Sequence, residues 1–269
     1  MQGQRKYPMS RYRDKVAVVT GSAAGIGRAI VQKLIAEGAY VLATDINRRG
    51  GADALAAEMG ERCVPLTVDV SKEEHVANMA EVIRSRFGKL DVAFNVAGSA
   101  KAGTLLGSSV EDWRFALDLC VVGTFNCMQH EAKLMIASGV KGAIVNVSSL
   151  NADVPAWGLG SYCAAKAGVV MLAKSGSIEL SEYGIRVNTV SPGLTATPVN
   201  SAMPDAMFKA YLERIPMRRM AHADEQVEAC LFLGSDAASY ITGANLVVDG
   251  GWANSGYPDT RLWFGQALV

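Results

Sequence analysis

The sequence predicts a doubly wound α/β domain with about seven parallel strands. Short β-branched runs alternate with longer segments whose apolar residues recur at helical spacing, which is typical of parallel sheets with right-handed crossover helices. The first of these runs ends in a glycine-rich loop that opens a helical segment, as in nucleotide-binding Rossmann folds. A chain of 269 residues is long enough to form one domain of this class.

Composition excludes several kinds of partner. The 26 Lys and Arg residues balance the 26 Asp and Glu residues, so neither nucleic acid nor an anionic membrane is expected to bind. Residues 1–13 are basic but lack an apolar run, which predicts a flexible arm and not a signal or membrane span. The five cysteines and three histidines lack ligand-like spacing, so we expect reduced thiols, a cytoplasmic protein and no metal site.

The first predicted strand leads into a candidate phosphate-binding loop. The strand covers residues 15–20, and apolar residues recur at helical spacing over residues 28–37. Gly21 allows a tight turn, Gly25 lets the backbone approach a phosphate, and Gly27 lets the helix pack closely. Such a triplet alone could be only a turn, but its position between a strand and a helix favours dinucleotide binding.

The second predicted strand, residues 38–45, ends on an acidic residue. The carboxylate of Asp45 can accept hydrogen bonds from an adenosine ribose and would repel a 2'-phosphate, so it favours NAD over NADP. Ala24, in the glycine loop, supplies no cation for that phosphate. Arg48 and Arg49 leave an alternative open, but we interpret them as exposed residues that open the next helix.

The third and fourth predicted strands are followed by a long helical pattern. The third runs from Cys63 to Val70, and Asp69 near its end could serve the N-terminus of a charged helix over residues 72–87, a role that is compatible with binding a cofactor as well. The fourth begins at Leu90, and helical spacing then continues over residues 110–137.

Ser149, Tyr162 and Lys166 form the candidate chemical centre. Tyr162 and Lys166 stand four positions apart in a segment rich in helix formers, so they would share one helix face. A free phenol titrates near about pH 10, but a neighbouring ammonium favours the phenolate and makes Tyr162 a candidate general acid/base. Ser149 follows the fifth predicted strand, residues 143–147, where its hydroxyl can reach the same oxygen. In isolation, a partly buried tyrosine with a solvated lysine would be the better interpretation.

The last third of the chain completes the alternation. Residues 184–193 predict a sixth strand and its exit, residues 224–234 a helix and residues 240–251 the final strand. Between the sixth strand and this helix, residues 199–219 form methionine-rich helical pieces interrupted by proline. Such pieces suit either an adaptable lid or ordinary packing.

Together these motifs resemble the short-chain dehydrogenase/reductase family, in its NAD-preferring branch. The Thr-Gly-x-x-x-Gly-x-Gly loop, Asn-Val-Ala-Gly at residues 95–98, and a serine followed by Tyr-x-x-x-Lys occur in the family's order. Two positions depart from its pattern. Val96 replaces a second asparagine, and Cys120 stands where relatives generally have an asparagine that holds a proton-relaying water.

The resemblance implies a domain over residues 14–252 with strand order 3-2-1-4-5-6-7 and reversible hydride transfer between an alcohol and a ketone. Tyr162 would exchange the proton, Ser149 would hold the oxygen, and Lys166 would bind the nicotinamide ribose. The Thr195 backbone would bind the carboxamide and the Thr197 hydroxyl a phosphate. The expected cofactor-binding residues are Gly21, Ser22, Gly25, Ile26, Gly27, Asp45, Asp69, Val70, Asn95, Ala97, Gly98, Tyr162, Lys166, Pro192, Gly193, Thr195 and Thr197.

The expected substrate is a mostly apolar alcohol or ketone, such as an alicyclic, aromatic, terpenoid or steroid-like compound. Leu105, Leu106, Leu150 and Trp157, with the methionine-rich segment, suggest such a pocket. The tail, residues 253–269, is expected to contact another subunit or the active site, since it carries several aromatics. By resemblance, the chain would form homodimers or homotetramers.

Two alternatives remain open. A 3-oxoacyl-carrier-protein reductase would use NADPH and need a basic docking patch, against which Asp45, Ala24 and the neutral charge argue. A non-catalytic NAD-binding relative is favoured by Cys120, whereas the intact serine, tyrosine and lysine argue against it.

Overall fold

The computed structural model describes residues 10–46, 51–201 and 203–255. In this part of the chain, seven strands form one sheet in the order β3-β2-β1-β4-β5-β6-β7, and every neighbouring pair is parallel. This confirms the predicted fold class and strand order. The strands are β1 Val16–Thr20, β2 Tyr40–Asp45, β3 Cys63–Thr67, β4 Val92–Asn95, β5 Ala143–Val147, β6 Arg186–Pro192 and β7 Asn245–Val248.

Helices cover both faces of the sheet. They are α1 Gly25–Ala36, α2 Gly51–Met59, α3 Glu73–Phe87, α4 Val110–Leu117, α5 Gly123–Ala137, α6 Gly160–Leu180, α7 Asp205–Arg214 and α8 Ala223–Gly234. Among the described residues, no helix has both the length and the apolar character needed to cross a membrane.

Alternate residues of each strand face opposite layers of the core. On β1, Ala17 and Val19 pack with α1, α2 and α8, whereas Val16 and Val18 pack with α3, α5 and α6. Successive side chains of a strand point to opposite faces, so a strand buried on both faces needs an unbroken apolar run. The apolar runs of the sequence therefore correspond to central strands.

Several of the predicted strands are longer than the observed ones, most clearly β3 and β7. β3 ends at Thr67 and not at Val70, because the carboxylate of Asp69 accepts hydrogen bonds from the amide and the hydroxyl of Ser71, at 3.0 and 2.7 Å. These bonds turn the chain into α3. β7 likewise has four residues, fewer than the predicted span over residues 240–251.

The predicted long helix over residues 110–137 is interrupted by a π-helical turn, Asp118–Val122, between α4 and α5. Such turns are rare and are often found at functional sites. The turn contains Cys120, whose side chain is fully buried.

Residues 10–13, which the sequence assigned to a flexible arm, instead pack on the domain. Tyr12 is buried, and its hydroxyl donates a hydrogen bond to the carbonyl of Leu231 at 2.6 Å. Arg11 pairs with Glu37 and Glu228. The rest of the predicted arm, residues 1–9, lies outside the described residues, as does the predicted tail beyond residue 255.

Replacing Tyr12 with Ala is expected to lower the free energy of unfolding by about 3–5 kcal/mol, because the substitution empties a buried site that holds an aromatic ring. Tyr12→Phe keeps the ring and removes only the hydrogen bond, so its cost should be about 1 kcal/mol. Urea denaturation of both variants measures the difference. An unchanged unfolding midpoint for Tyr12→Ala would contradict the packed segment.

Candidate active site

The predicted site residues gather at one edge of the sheet. β1, β4, β5 and β6 are parallel neighbours, so their carboxyl ends meet at this edge. The glycine loop, the Ala97–Gly98 pair, Ser149 and Gly193 directly follow these four strands. In doubly wound sheets, ligands bind outside the carboxyl ends of the strands.

Two glycines of the loop, Gly21 and Gly27, have no room for a side chain. A Cβ atom added at Gly27 would lie 2.2 Å from the carbonyl oxygen of Gly21, and one at Gly21 would lie 3.0 Å from the backbone of Ala97. Gly25 begins α1, and a Cβ there would lie 3.4 Å from the side chain of Thr197. The loop, the end of β4 and the segment after β6 therefore meet around the N-terminus of α1.

The N-terminus of α1 suits a pyrophosphate. Its N-cap residue, Ala24, makes no side-chain hydrogen bond to the helix, so the first amides of α1 are not capped by a side chain there. Amides at a helix N-terminus bind anions through hydrogen bonds and the helix dipole. The residues present therefore fit the phosphates of a dinucleotide.

Asp45 is fixed beside this loop at the end of β2. One of its carboxylate oxygens accepts a hydrogen bond from the amide of Ala23 at 3.0 Å, and Ser22 donates to the carbonyl of Thr44 from both its amide and its hydroxyl. The carboxylate is therefore held at the carboxyl end of β2, beside the glycine loop. The alternative residues Arg48 and Arg49 lie outside the described residues.

Tyr162 and Lys166 lie on one face of α6, as predicted. The ammonium nitrogen of Lys166 is 5.7 Å from the centre of the Tyr162 ring. The Lys166 residue is only 3% exposed, and its ammonium donates to the carbonyl of Val147 at 2.9 Å. A Cβ added at Gly98 would lie 2.9 Å from this ammonium. The lysine therefore reaches across the strand ends to the backbone after β4.

Ser149 caps the short 3-10 turn Leu150–Ala152, which packs against α6. Its hydroxyl oxygen accepts a hydrogen bond from the amide of Asn151 at 3.1 Å. Ser149 is buried, and its hydroxyl also donates a long hydrogen bond, at 3.5 Å, to the side-chain oxygen of Asn151. Leu150, predicted to line the substrate pocket, is buried in the protein.

Several of the residues predicted to bind the cofactor form hydrogen bonds with other groups of the protein. The carbonyl of Val70 accepts from Asn126 at 3.0 Å, and the carbonyl of Thr195 accepts from Asn200 at 2.8 Å. At the end of β6, the amide of Gly193 donates to the carbonyl of Val248 at 2.9 Å. These bonds fix the backbone after β3 and β6, and they do not involve the side chains of Val70 and Thr195.

Sequence reasoning missed Thr20. Its hydroxyl oxygen accepts hydrogen bonds from the amides of Val96 and Ala97, at 3.0 and 3.2 Å, and so ties the end of β1 to the turn after β4. The position of Thr20, directly before Gly21, is the signal that could have identified it.

The side chain of Asn95 points into the protein. Its amide nitrogen donates to Asn146 on β5 and to Glu131 on α5, both at 3.0 Å. Glu131, also missed by sequence reasoning, is buried, and burial raises the pKa of its carboxyl to about 8 even though the Asn95 bond opposes that rise. A lone acidic residue on the buried face of α5 was the available signal.

Cys120 lies beside the lysine. Its thiol donates to the carbonyl of Ser99 at 3.5 Å, and a Cβ at Gly98 would lie 3.4 Å from its sulfur. No group of His, Cys, Asp and Glu side chains in the described residues could hold a metal ion.

Large apolar side chains are exposed on the loops that precede α4 and α6. Leu106 is 99% exposed and Trp157 is 90% exposed, and Leu105 is also exposed. The loops that carry them are joined, because the amide of Gly103 donates to the carbonyl of Gly158 at 2.9 Å. Since Gly158 lies just before α6, these apolar residues stand next to the helix of Tyr162.

Comparison with known proteins gives consistent matches over most of the chain. A family model described as enoyl-(acyl carrier protein) reductase matches residues 21–253. A 2,5-dichloro-2,5-cyclohexadiene-1,4-diol dehydrogenase of Sphingobium indicum is 40% identical over 91% of this chain and 99% of its own length. A cis-4-hydroxycyclohexanecarboxylate dehydrogenase of Sinomonas cyclohexanicum is 39% identical over 90% of this chain and 97% of its own length. A 3-oxoacyl-(acyl-carrier-protein) reductase of Haemophilus influenzae is 36% identical over 89% of this chain and 98% of its own length.

Glu131 is expected to make the stability of the protein fall as the pH rises. Its folded-state pKa of about 8 lies above its ordinary value of 4.5, so between these values the folded state holds a proton that the unfolded state has lost. The free energy of unfolding should therefore decrease by about 1.4 kcal/mol per pH unit across this window. Urea midpoints of wild type and Glu131→Gln, compared across this range, isolate the effect. Parallel pH curves would contradict it.

Proposed function

Because the chain belongs to the short-chain dehydrogenase/reductase family, we propose that it is an NAD-dependent dehydrogenase that interconverts a secondary alcohol and a ketone. The observation that carries the proposal is the ammonium of Lys166, which is buried 5.7 Å from the centre of the Tyr162 ring at the strand ends next to the glycine loop. A phenol next to a fixed cation can carry a proton, and the adjoining loop suits a dinucleotide.

The proposed cofactor site follows the strand ends. Amides of residues 21–27 would bind the pyrophosphate, with Thr197 adding a hydroxyl, and Asp45 would accept hydrogen bonds from the adenosine ribose. Residues 69–70 would lie beside the adenine. NAD supplies the hydride acceptor when it is bound. Lys166 uses one of its three N–H groups on Val147, and the other two would bind the nicotinamide ribose.

The proposed proton chemistry uses three side chains. In alcohol oxidation, the phenolate of Tyr162 would take the proton of the substrate hydroxyl, and the carbon that bears this hydroxyl would lose a hydride to NAD. The hydroxyl of Ser149 donates a hydrogen bond to that oxygen and holds it in place. The ammonium of Lys166 lies on the same helix face as this phenol, and in ketone reduction Tyr162 returns the proton.

The proposed substrate is a mostly apolar secondary alcohol, and a six-membered ring is the favoured class. Leu105, Leu106 and Trp157 present apolar surface next to the helix of Tyr162, where an apolar ring could be buried. Two relatives are named for alcohols on six-membered carbon rings, one of Sphingobium indicum and one of Sinomonas cyclohexanicum.

The remaining proposals concern assembly and location. Phe115, Val122 and Phe125 leave apolar surface exposed along α4 and α5, and Met171 and Ile178 do so on α6, which supports a homodimer or homotetramer. We also propose a cytoplasmic location, because the scattered spacing of the five cysteines suggests reduced thiols.

A second candidate is reduction of 3-oxoacyl groups on a carrier protein with NADPH. The Haemophilus influenzae relative with that name favours it. Asp45 argues against it, because its carboxylate lies beside the glycine loop and would repel the 2'-phosphate of NADPH, and Ala24 offers no cation to bind this phosphate.

Tyr162→Phe should lower kcat for cyclic secondary alcohols by about 10²–10⁴-fold, because it removes the proton carrier. The affinity for NADH, measured by fluorescence, should change little. Tyr183→Phe is the matched control, since Tyr183 is exposed beyond the far end of α6. Turnover that survives Tyr162→Phe would overturn the mechanism. NADH binding without turnover by the wild type on any alcohol or ketone tested would favour a non-catalytic relative.

Asp45→Asn should raise the ratio of kcat/KM with NADP to that with NAD by about tenfold or more. The amide oxygen can still accept the hydrogen bond from Ala23, so the substitution removes the charge alone. Steady-state kinetics with both cofactors measures the ratio. A wild type that prefers NADPH and reduces a 3-oxoacyl thioester faster than it oxidises cyclic alcohols would favour the second candidate.

A further inference from the structure

Glu131 is a buried carboxyl without a cation. Its residue is 1% exposed on α5, and no Lys or Arg among the described residues forms an ion pair with it. Among the described residues, the only hydrogen bond of its side chain is the one that it accepts from the amide nitrogen of Asn95 at 3.0 Å. An ionised carboxylate in such surroundings would be costly, whereas a neutral acid needs only one more hydrogen-bond partner for its proton.

Two buried oxygen atoms of this hydrogen-bonded pair of side chains lack a partner. The second oxygen of Glu131 and the side-chain oxygen of Asn95 are both buried without a hydrogen-bond partner. A proton on that Glu131 oxygen would be donated to the Asn95 oxygen, so one hydrogen bond would satisfy both atoms. A carboxylic acid and an amide form such a closed pair of two hydrogen bonds, in which each group donates once and accepts once.

The pair stands directly beneath the candidate active site. Asn95 and Asn146 are partners in the β4–β5 ladder, and the amide of Asn95 also donates to the side chain of Asn146 at 3.0 Å. Asn146 is followed by Val147, whose carbonyl binds the ammonium of Lys166. Asn95 precedes the turn whose Gly98 faces the same ammonium. One network therefore joins α5 to the two strand ends that hold the lysine.

We propose that Glu131 is a positioning residue for the active site, a neutral carboxylic acid that locks Asn95 in a closed pair and so fixes the ends of β4 and β5 around Lys166. The proposal deepens the dehydrogenase function proposed above and rests on it. Glu131 touches neither substrate nor cofactor, and it acts through Asn95 and Asn146.

The other titratable groups near Glu131 do not compete for its proton. Cys127, one turn earlier on α5, is buried, and burial raises the pKa of its thiol. His130 on α5 turns to Glu73 of α3 at 2.8 Å, and Lys166 on α6 turns to Val147. Since burial raises the pKa of Glu131 to about 8, the acid holds its proton at neutral pH and loses it in mild alkali.

Three variants test the role. Glu131→Gln can form the same closed pair and has no charge at any pH, so kcat and the KM for NAD should stay within about twofold of wild type at pH 7. Glu131→Leu cannot form the pair and should lower kcat/KM by about tenfold or more, because small misplacements of catalytic groups are costly. Met135→Ala, a buried cavity variant one turn later on α5, should lose stability but keep its kinetics.

The pH profile supplies a signature that a merely structural residue would not give. The wild type should lose kcat/KM for NAD above about pH 8, and Glu131→Gln should lack this loss. Glu131→Leu with wild-type kinetics would overturn the proposal. A Glu131→Gln variant as impaired as Glu131→Leu would also overturn it, because the ionised carboxylate would then be required.

Infrared spectroscopy tests the neutral acid without catalysis. The wild type at pH 7 should show the carbonyl stretch of a protonated carboxylic acid that is absent from Glu131→Gln. This readout needs no turnover and keeps the proposal testable if Glu131→Leu fails to fold. An inactive wild type that shows the band refutes the dehydrogenase proposal alone. Absence of the band refutes the closed pair, whatever the activity.

Discussion

A buried ammonium constrains the whole carboxyl edge of the sheet. Lys166 forms no ion pair with a carboxylate of the described residues, and the end of β5 supplies its hydrogen-bond acceptor through the carbonyl of Val147. A buried charge is tolerated only when polar groups are held close to it. The turn after β4 comes so close to this ammonium that a side chain would not fit, and Gly98 allows this approach. The Tyr162 ring lies on the same face of α6 as Lys166.

Backbone atoms and not side chains form most of this edge. Gly21 and Gly27 approach each other so closely that a Cβ atom on Gly27 would overlap the chain, and Thr20 holds the neighbouring turn by two backbone amides. A surface made of backbone can approach a phosphate closely and offers amides that need partners. Among the side chains at this edge, Asp45 is fixed by the loop itself, through the amide of Ala23.

Polar groups inside the protein link this edge to the helical layer below it. Asn95, Asn146 and Glu131 come from β4, β5 and α5, and they form one buried network. Buried polar networks specify one arrangement of the elements that they join, because each unpaired group is costly. Val96 and Cys120 are the two positions that depart from the family pattern. Val96 packs against the apolar core, and the thiol of Cys120 donates to the carbonyl of Ser99.

The sequence by itself determined the fold class, the strand order by family resemblance, and the residues that stand at the strand ends. Apolar periodicity and glycine spacing are local properties, and a parallel sheet brings the carboxyl ends of its strands to one edge. It therefore predicted that Gly21, Gly98, Ser149 and Tyr162 would lie near this edge.

Only the tertiary structure decided contacts between positions far apart in the chain. Tyr12 bonds to a carbonyl 219 positions away, and Asn95 bonds to Glu131 across 36 positions. The π-helical turn at Cys120 was likewise not predicted, because apolar residues continue through it from α4 to α5. Burial and pairing of this kind depend on which surfaces meet after folding, and local patterns do not contain that information.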